Sequence, residues 1–166
     1  MKELLLRDGT PVLVDDEDFD RLNKFTWKLN NMGYPQRTTS YRDAENKMHG
    51  THLLLHREVM NARKGQQVDH RDGNLLNCQK SNLRFSTQSQ NRMNSRKMRG
   101  CRSQYKGVRW NSQRGFWYVR LRVPGDKQKE RYIGQFPDEH TAAVAYDLWA
   151  HDVFGEFARS NFKKAI

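Results

Sequence analysis

The residues best suited to chemistry in this sequence lie in one stretch, VDHRDGNLLNCQKSNLRFSTQSQN, which spans residues 68–91. An acid and a histidine stand side by side at Asp69 and His70, and two asparagines follow at Asn82 and Asn91. Hydrolysis of a phosphodiester needs a base that activates water and a Lewis acid that offsets charge on the phosphoryl group. A histidine is a suitable base at neutral pH, and carboxylate and amide oxygens suit a hard divalent cation.

Two short strands and a helix are predicted to position these residues. The predicted elements are a strand at 68–70, a turn at 72–74, a strand at 84–87 and a helix capped by Thr87 that runs from Gln88 to about Ser95. Consecutive strand residues point to opposite faces, so Asp69 and His70 share one site only where the strand ends or is distorted. The Asp72-Gly73 turn allows that, although such a pair is also a common hydrogen-bonded structural pair.

The spacing D-H-x11-N-x8-N closely resembles the HNH endonuclease family in its H-N-N variant, whose core is a ββα-metal fold. This resemblance implies that His70 is the general base and that Asp69 and Asn91 hold one divalent metal ion. It also implies that Asn82 is the central structural asparagine, which fixes the loop that aims His70. Asn91 stands where the third position is often His, which favours magnesium or manganese over zinc. Asn94 is the alternative helix ligand, and the spacing favours Asn91.

The segment before the motif contains Leu55-His56-Arg57, which fits an LHR segment that the family often carries upstream. The resemblance suggests that Arg57 contacts the scissile phosphate; a packing role for His56 and a surface role for Arg57 are equally open. Thr51–Met60 is predicted as a buried strand or the start of a helix. Further upstream, an Asp8-Gly9 turn predicts a hairpin, and Asp16 or Asp18 is predicted to cap a short helix.

The charge of the chain points to a polyanionic partner. Lys and Arg number 30 against 19 Asp and Glu, a net charge of +11. Because such a balance favours binding to phosphates, nucleic acid is the first candidate and an anionic membrane surface the second. Between Arg92 and Arg109 there is no acidic residue. We interpret this segment as a tether that tracks DNA, with a solvated linker as the alternative; its predicted DNA-binding residues are Arg96, Lys97, Arg99 and Arg102.

The C-terminal part shows a strand pattern. Phe116–Val123 alternates strictly, a turn is predicted at 124–126, a second strand at 129–134, and a helix from Asp138 to about Phe154 that stops at Gly155. This pattern predicts a three-stranded antiparallel sheet with one helix across it. Its uncovered face would carry Tyr118, Arg120, Arg122 and Tyr132. Such a face either meets a DNA groove or is a polar side turned to water.

YKGVRW, RYIGQF, TAAVAYDLWA and FGEFARSNF resemble the plant Apetala / ethylene-response-factor DNA-binding domain over its whole length. In that family the sheet enters the major groove. By resemblance, the DNA-contacting positions are Lys106, Arg109, Arg120, Arg122 and Tyr132. Glu130 falls where an arginine is common, Tyr132 where a tryptophan is common, and Arg120 where an acid is common. The base preference is therefore not carried over.

Taken together, the sequence predicts an α+β protein with an HNH nuclease domain at 1–95 (motif core 56–95), a basic linker at 96–104 and a DNA-binding domain at 105–162. The predicted function is a metal-dependent DNA endonuclease, site-specific and of the phage-borne homing type by resemblance. The alternatives are a non-catalytic sequence-specific DNA-binding regulator and, more weakly, an RNA-binding protein. The expected partner is double-stranded DNA, and a monomer is favoured over a dimer.

No apolar run approaches the length of about 20 residues that spans a bilayer. Met1–Arg7 is too short for a signal-peptide core. We therefore expect no membrane association and a cytoplasmic location, in a bacterial or phage-infected host by resemblance. Cys78 and Cys101 lie far apart with no metal-ligand spacing, so two free thiols are predicted.

Overall fold

The computed structural model describes residues 1–97, 100–123 and 130–162. Chain contacts divide the protein into two units, Met1–Thr87 and Gln88–Ile166. Small sheets and a few helices make up both units, which confirms the mixed α+β class. The predicted turn at 124–126, the predicted strand start at Lys129 and the predicted contact residue Arg99 lie outside the described residues. In the described ranges, no helix has the length and apolar character needed to cross a membrane.

The first unit consists of three small antiparallel sheets and two short helices within its described residues. In chain order its elements are β1 (Lys2–Leu5), β2 (Pro11–Val14), α1 (Asp16–Leu22), β3 (Lys28–Leu29), β4 (Pro35–Arg42), β5 (Met48–Leu54), α2 (Leu55–Val59), β6 (Gln67–His70) and β7 (Leu83–Ser86). The sheets pair β1 with β2, β3 with β4 and β5, and β6 with β7.

The N-terminal hairpin is confirmed, with Leu4 opposite Val12 in the β1–β2 register. Its turn places Gly9 at φ 82°, a left-handed conformation that glycine adopts without steric cost. The predicted helix cap is wrong: the N-cap of α1 is Asp15, and the Asp15 side chain makes no capping bond. Asp16 instead pairs with the amino terminus, and Asp18 pairs with Arg21.

β2 also anchors the loop between β6 and β7, which carries the motif. Leu13 donates its N–H to the carbonyl of Leu76 at 2.8 Å, and its own carbonyl accepts from the N–H of Cys78 at 2.8 Å. The Asp15 carboxylate, which makes no capping bond to α1, accepts from the backbone N–H of Lys80 at 2.8 Å. The N-terminal hairpin therefore fixes the motif loop, a role that sequence reasoning left open.

The core of the first unit is built around Trp27, whose indole N–H donates to the carbonyl of Leu22 at 2.9 Å. The buried members of this core are Leu4, Leu6, Val12, Val14, Leu22, Trp27, Leu55, Val59, Val68, Cys78 and Leu83. The segment Thr51–Met60 contains the end of β5, which stops at Leu54, and the whole of α2, which begins at Leu55. α2 enters the core through Leu55 and Val59, as a helix start predicts, whereas the predicted buried strand is wrong because Thr51 and His52 of β5 are exposed.

The second unit begins with a helix and continues as a sheet covered by a longer helix. Its elements are α3 (Gln88–Asn94), β8 (Val108–Asn111), β9 (Phe116–Leu121), β10 (Arg131–Phe136), α4 (Glu139–Phe154) and a 3₁₀ turn at Gly155–Phe157. The strand order is β10-β9-β8, with antiparallel neighbours. β9 ends at Leu121, two residues before the predicted end, and β10 begins two residues after the predicted start.

α4 packs against one face of this sheet through small residues. Its N-cap, Asp138, accepts from the N–H of Thr141 at 2.8 Å, and Gly155 follows its last turn. The shared core consists of Val108, Val119, Leu121, Ala142, Ala143, Tyr146 and Ala150. Gly107 is required beside it, because a Cβ there would lie 2.0 Å from the Tyr146 ring. Because α4 covers only one face of the sheet, the opposite face is not covered by this helix.

Candidate functional site

His70 is the last residue of β6 and is only 3% exposed. Its Nε2 lies 3.8 Å from the Sγ of Cys78. The ring of His56 meets it edge-on at 5.0 Å between centroids, and the ring of Tyr34 lies at 6.2 Å. Burial lowers the pKa of His70, because desolvation disfavours the imidazolium, while Asp72 raises it in opposition. The environment therefore favours neutral imidazole, the form that accepts a proton.

His56 forms the wall of this site. It is 4% exposed, and its Nδ1 has no hydrogen-bond partner in the part of the chain that the structure describes. Burial lowers the pKa of His56 to about 3, and the neighbouring His70 acts in the same direction. The ring packs on Tyr34 at 5.2 Å. His56 is thus a neutral packing residue for His70, and the sequence had left that role open.

Asp69 faces the other side of the strand, where it pairs with Arg84. The two residues lie directly opposite each other in the β6–β7 register. Nε and Nη2 of Arg84 donate to the same carboxylate oxygen of Asp69 at 3.0 and 2.9 Å, and both residues are 6% exposed. Sequence reasoning missed Arg84, although its place in SNLRF, on the strand predicted to follow the loop, was the available signal.

Asn82 closes the loop that follows His70. Its Oδ1 accepts from the N–H of Asp72 at 3.1 Å, and its Nδ2 donates to Asp72 Oδ1 at 3.0 Å and to the carbonyl of Asn77 at 2.8 Å. Its own carbonyl accepts from the N–H of Arg71 at 2.8 Å. One asparagine side chain therefore joins the start and the middle of the loop, which supports a role in fixing the position of His70.

Cys78 completes the surroundings of His70 from the same loop. The side chain is fully buried, and burial raises the pKa of its thiol to about 12. The Sγ also lies 3.8 Å from the carbonyl oxygen of Leu75. Both cysteines are free, as predicted, and Cys101 is exposed. Sequence reasoning gave Cys78 no part in the site, because its contact with His70 depends on the fold of the loop.

Arg57 is occupied by the loop that precedes β6. Its guanidinium donates to the carbonyl of Gln66, to that of Arg63 at 2.9 Å and to that of Ala62 at 3.5 Å. These bonds hold the loop between α2 and β6. The structure thus gives Arg57 a structural contact, whereas its contact with a phosphate remains a prediction from the resemblance.

The metal ligands predicted from the resemblance belong to different units, since Asp69 lies on β6 and Asn91 on α3. Asn91 is partly buried and Asn94 is 6% exposed, and the choice between them stays a prediction. Among the described residues, no group of three or more His, Cys, Asp or Glu side chains is placed to bind a metal. A carboxylate and an amide are oxygen donors, which suit magnesium or manganese rather than zinc.

The uncovered sheet face of the second unit carries the predicted arginines and tyrosines. The register puts Arg109 opposite Tyr118 and Tyr132 opposite Arg120. The Tyr118 and Tyr132 rings stack at 6.5 Å between centroids, and the Arg120 guanidinium lies 5.5 Å from the Tyr118 ring. Arg122 is exposed just after β9. The face is therefore both cationic and aromatic.

A groove of about 610 Å³ in the second unit adjoins this face and contains most of the described basic segment. The basic residues that line it are Arg96, Lys97, Arg102, Lys106 and Arg109. Arg102 lies over the Trp110 ring at 5.0 Å. The Lys106 amine is turned inward, where it donates to the carbonyl of Met93, and burial lowers its pKa to about 8. Lys106 thus differs from the other predicted contact residues.

Comparison with known proteins agrees with the motif. A family model described as HNH endonuclease matches residues 61–93, which contain β6, the Asn82 loop, β7 and most of α3. An uncharacterized HNH endonuclease of Acanthamoeba polyphaga mimivirus is 32% identical over 155 residues, covering 92% of this chain and 75% of the relative. The similarity thus extends well beyond the motif, and this chain belongs to the HNH endonuclease family.

Proposed function

We propose that this protein is a metal-dependent DNA endonuclease in which His70 is the general base. The observation that carries the proposal is the surroundings of His70. Its ring is buried at the end of β6, its pKa is lowered, and Asn82 braces the loop that follows it. A neutral imidazole held in this way is suited to take a proton from the attacking water. Because His70 is only 3% exposed, the proposal requires that DNA binding opens access to the ring.

The metal in this proposal is assigned from the resemblance to Asp69 and Asn91, with magnesium or manganese as the ion. When bound, the ion offsets charge on the phosphoryl oxygens and on the leaving 3′-oxygen. Arg84 competes for one oxygen of Asp69, yet it also holds the carboxylate in one orientation. The role of Arg84 would therefore be to position Asp69, which together with Asn91 would hold the ion.

DNA targeting is assigned to the second unit. Its sheet face presents Arg109, Arg120 and two stacked tyrosines, and the adjoining groove carries further cations. Arginines contact guanine edges and phosphates, and the phosphate contacts make binding depend steeply on salt. We propose that this surface enters the major groove, as its resemblance to the Apetala / ethylene-response-factor domain implies. A site-specific, homing-type nuclease would need such a DNA-reading surface in addition to its catalytic loop.

The test is nicking of supercoiled plasmid by the full chain, with magnesium or manganese against EDTA. His70→Ala should abolish cleavage but keep DNA binding, and His52→Ala on exposed β5 is the matched control. Thermal unfolding of both variants shows whether the buried substitution leaves the fold intact. Since His70→Ala removes a buried ring, His70→Gln provides a second, less disruptive variant. Cleavage by folded His70 variants at the wild-type rate would contradict the assignment.

A non-catalytic DNA-binding regulator is the second candidate. It is favoured by the closed state of His70 and by the Asp69–Arg84 ion pair, which satisfies the carboxylate without a metal. A regulator would bind duplex DNA with steep salt dependence yet leave plasmid intact with either metal.

The same plasmid assay distinguishes a monomeric from a dimeric nuclease. A monomer with one site per chain should first produce nicked circles. Linear product formed without a nicked intermediate would instead indicate a dimer.

A further inference from the structure

Glu130 places a negative charge on the basic sheet face, which does not fit a simple phosphate-binding surface. It immediately precedes β10, whereas Arg109 lies on β8, with the central strand β9 between them. Even so, Oε1 of Glu130 accepts from Nη2 of Arg109 at 2.8 Å, and Oε2 accepts from Nη1 at 3.3 Å. The ion pair therefore crosses the uncovered face of the sheet.

The same carboxylate reaches a second arginine. Nη1 of Arg120 lies 3.9 Å from Oε2 of Glu130, and the Arg120 guanidinium also lies over the Tyr118 ring. All three charged side chains are partly exposed: 34% for Glu130, 49% for Arg109 and 47% for Arg120. One carboxylate thus hydrogen-bonds Arg109 and lies within ion-pair distance of Arg120, and both arginines remain accessible to a ligand.

The Glu130 carboxylate changes which groups of DNA Arg109 and Arg120 can bind. A bidentate ion pair fixes the plane of a guanidinium, so the remaining N–H donors point in set directions. A phosphate competes with the carboxylate for the same donors and is repelled by its charge. A guanine edge carries no net charge and needs only correctly directed donors. The Glu130 carboxylate therefore weakens contacts between the arginines and phosphates, which every DNA sequence offers. It weakens contacts with guanine edges less.

We propose that Glu130 is a specificity-determining residue, which orders Arg109 for base edges and suppresses the binding of Arg109 and Arg120 to phosphate. The proposal rests on the proposed function, because it requires that this sheet face binds duplex DNA. Its ligand is a duplex with guanine exposed in the major groove. The residue acts through the two arginines and need not touch DNA itself.

The experiment uses the full chain in EDTA, so that binding is measured without cleavage. A pool of duplexes with a randomised central stretch is selected and sequenced, and affinity for an unselected duplex is measured against salt. Glu130→Gln keeps the shape and removes the charge. Asp152→Asn, exposed on α4, is the matched control because it removes one negative charge from the same unit. Arg109→Lys keeps the positive charge but removes the planar guanidinium and its paired N–H donors.

Wild type should enrich a guanine-containing motif. Glu130→Gln should bind unselected duplex several-fold more tightly and enrich the motif less. The slope of its log affinity against log salt concentration should steepen by about 0.9 for each additional phosphate that the freed arginines neutralise. Arg109→Lys should lose enrichment with little change in salt dependence. The control Asp152→Asn should keep the wild-type enrichment.

Two results overturn the proposal while leaving DNA binding intact: the same enrichment in Glu130→Gln as in Asp152→Asn, or a wild type that binds without enriching any motif. A wild type that does not bind duplex DNA overturns the DNA-targeting part of the proposed function as well. If Glu130→Gln lowers the melting temperature of the chain, Arg109→Lys decides. Retained enrichment in Arg109→Lys then overturns the proposal, and lost enrichment at an unchanged salt slope supports it.

Discussion

Arg84 donates two hydrogen bonds to a single carboxylate oxygen of Asp69, from Nε at 3.0 Å and from Nη2 at 2.9 Å. The two side chains face each other across the β6–β7 pair and are almost closed to solvent. Removing one partner of such a pair leaves a buried charge uncompensated, which costs more than the pair itself contributes. In the metal-free chain, burial of the charged Asp69 side chain, the predicted metal ligand, therefore depends on its ion pair with Arg84.

Arg84→Met should destabilise the first unit by about 3 kcal/mol, because the Asp69 carboxylate would stay buried without its counter-ion. Urea unfolding in EDTA measures the change. Arg21→Met is the matched control: the Arg21 side chain is 43% exposed, and its buried partner Asp18 keeps a second ion pair with Lys80 at 3.0 Å. The control should lose much less. Adding magnesium should recover part of the loss in Arg84→Met if Asp69 binds the ion, and no recovery would count against Asp69 as a ligand.

The elements around this pair follow from local sequence signals. The Asp8-Gly9 turn predicts the β1–β2 hairpin, and the Asp72-Gly73 turn with the Thr87 cap predicts β6, β7 and α3 close to their observed bounds. The Asp69–Arg84 pair could not be predicted from such local signals. It depends on the register of β6 against β7, which the fold of the intervening loop determines.

The hairpin of β4 and β5 shows the opposite case. Its sequences, PQRTTSYR and MHGTHLL, lack the alternation of apolar and polar residues that marks a half-buried strand. Arg37 on β4 is held by Glu58 of α2 through two bonds of 3.0 Å and lies over the Phe25 ring. These contacts join residues far apart in the chain, so a sequence pattern cannot reveal them. The sequence left a packing role for His56 open but could not identify His70 as its partner, for the same reason.

The two thiols should differ sharply in reactivity. Cys78 is fully buried with its pKa raised to about 12, so it has almost no thiolate at pH 8, whereas Cys101 is exposed. Iodoacetamide at pH 8 should modify one thiol per native chain and two per chain in urea, as measured by mass spectrometry. Cys101→Ser should show no modification in the native state. Rapid labelling of Cys78 in that variant would contradict its placement beside His70.

The amine of half-buried Lys106 should titrate at a pH well below that of an ordinary lysine. Burial lowers its pKa from 10.5 to about 8, and Nζ donates to the carbonyl of Met93. Between these two values the unfolded chain binds more protons than the folded chain, so the contribution of Lys106 makes the fold more stable as pH rises through this window. Competitive reductive methylation should show a midpoint near the lower value at Lys106. Lys106→Met should remove its part of the pH dependence of unfolding, and an unchanged dependence would contradict the burial.

Asn82 should matter both for stability and for cleavage, because one side chain joins two parts of the loop that follows His70. Asn82→Ala leaves the N–H of Asp72 and the carbonyl of Asn77 without this partner, at a cost of about 1–3 kcal/mol. Asn82→Asp keeps an acceptor for Asp72 N–H but loses the donor to Asn77 and places a second carboxylate beside Asp72. Both variants should lose plasmid cleavage while binding to duplex DNA in EDTA stays near wild type. Asn74→Ala, in the same loop, is the control and should retain cleavage. If the Asn82 variants melt earlier yet cut DNA at the wild-type rate, the loop does not position His70 for the reaction.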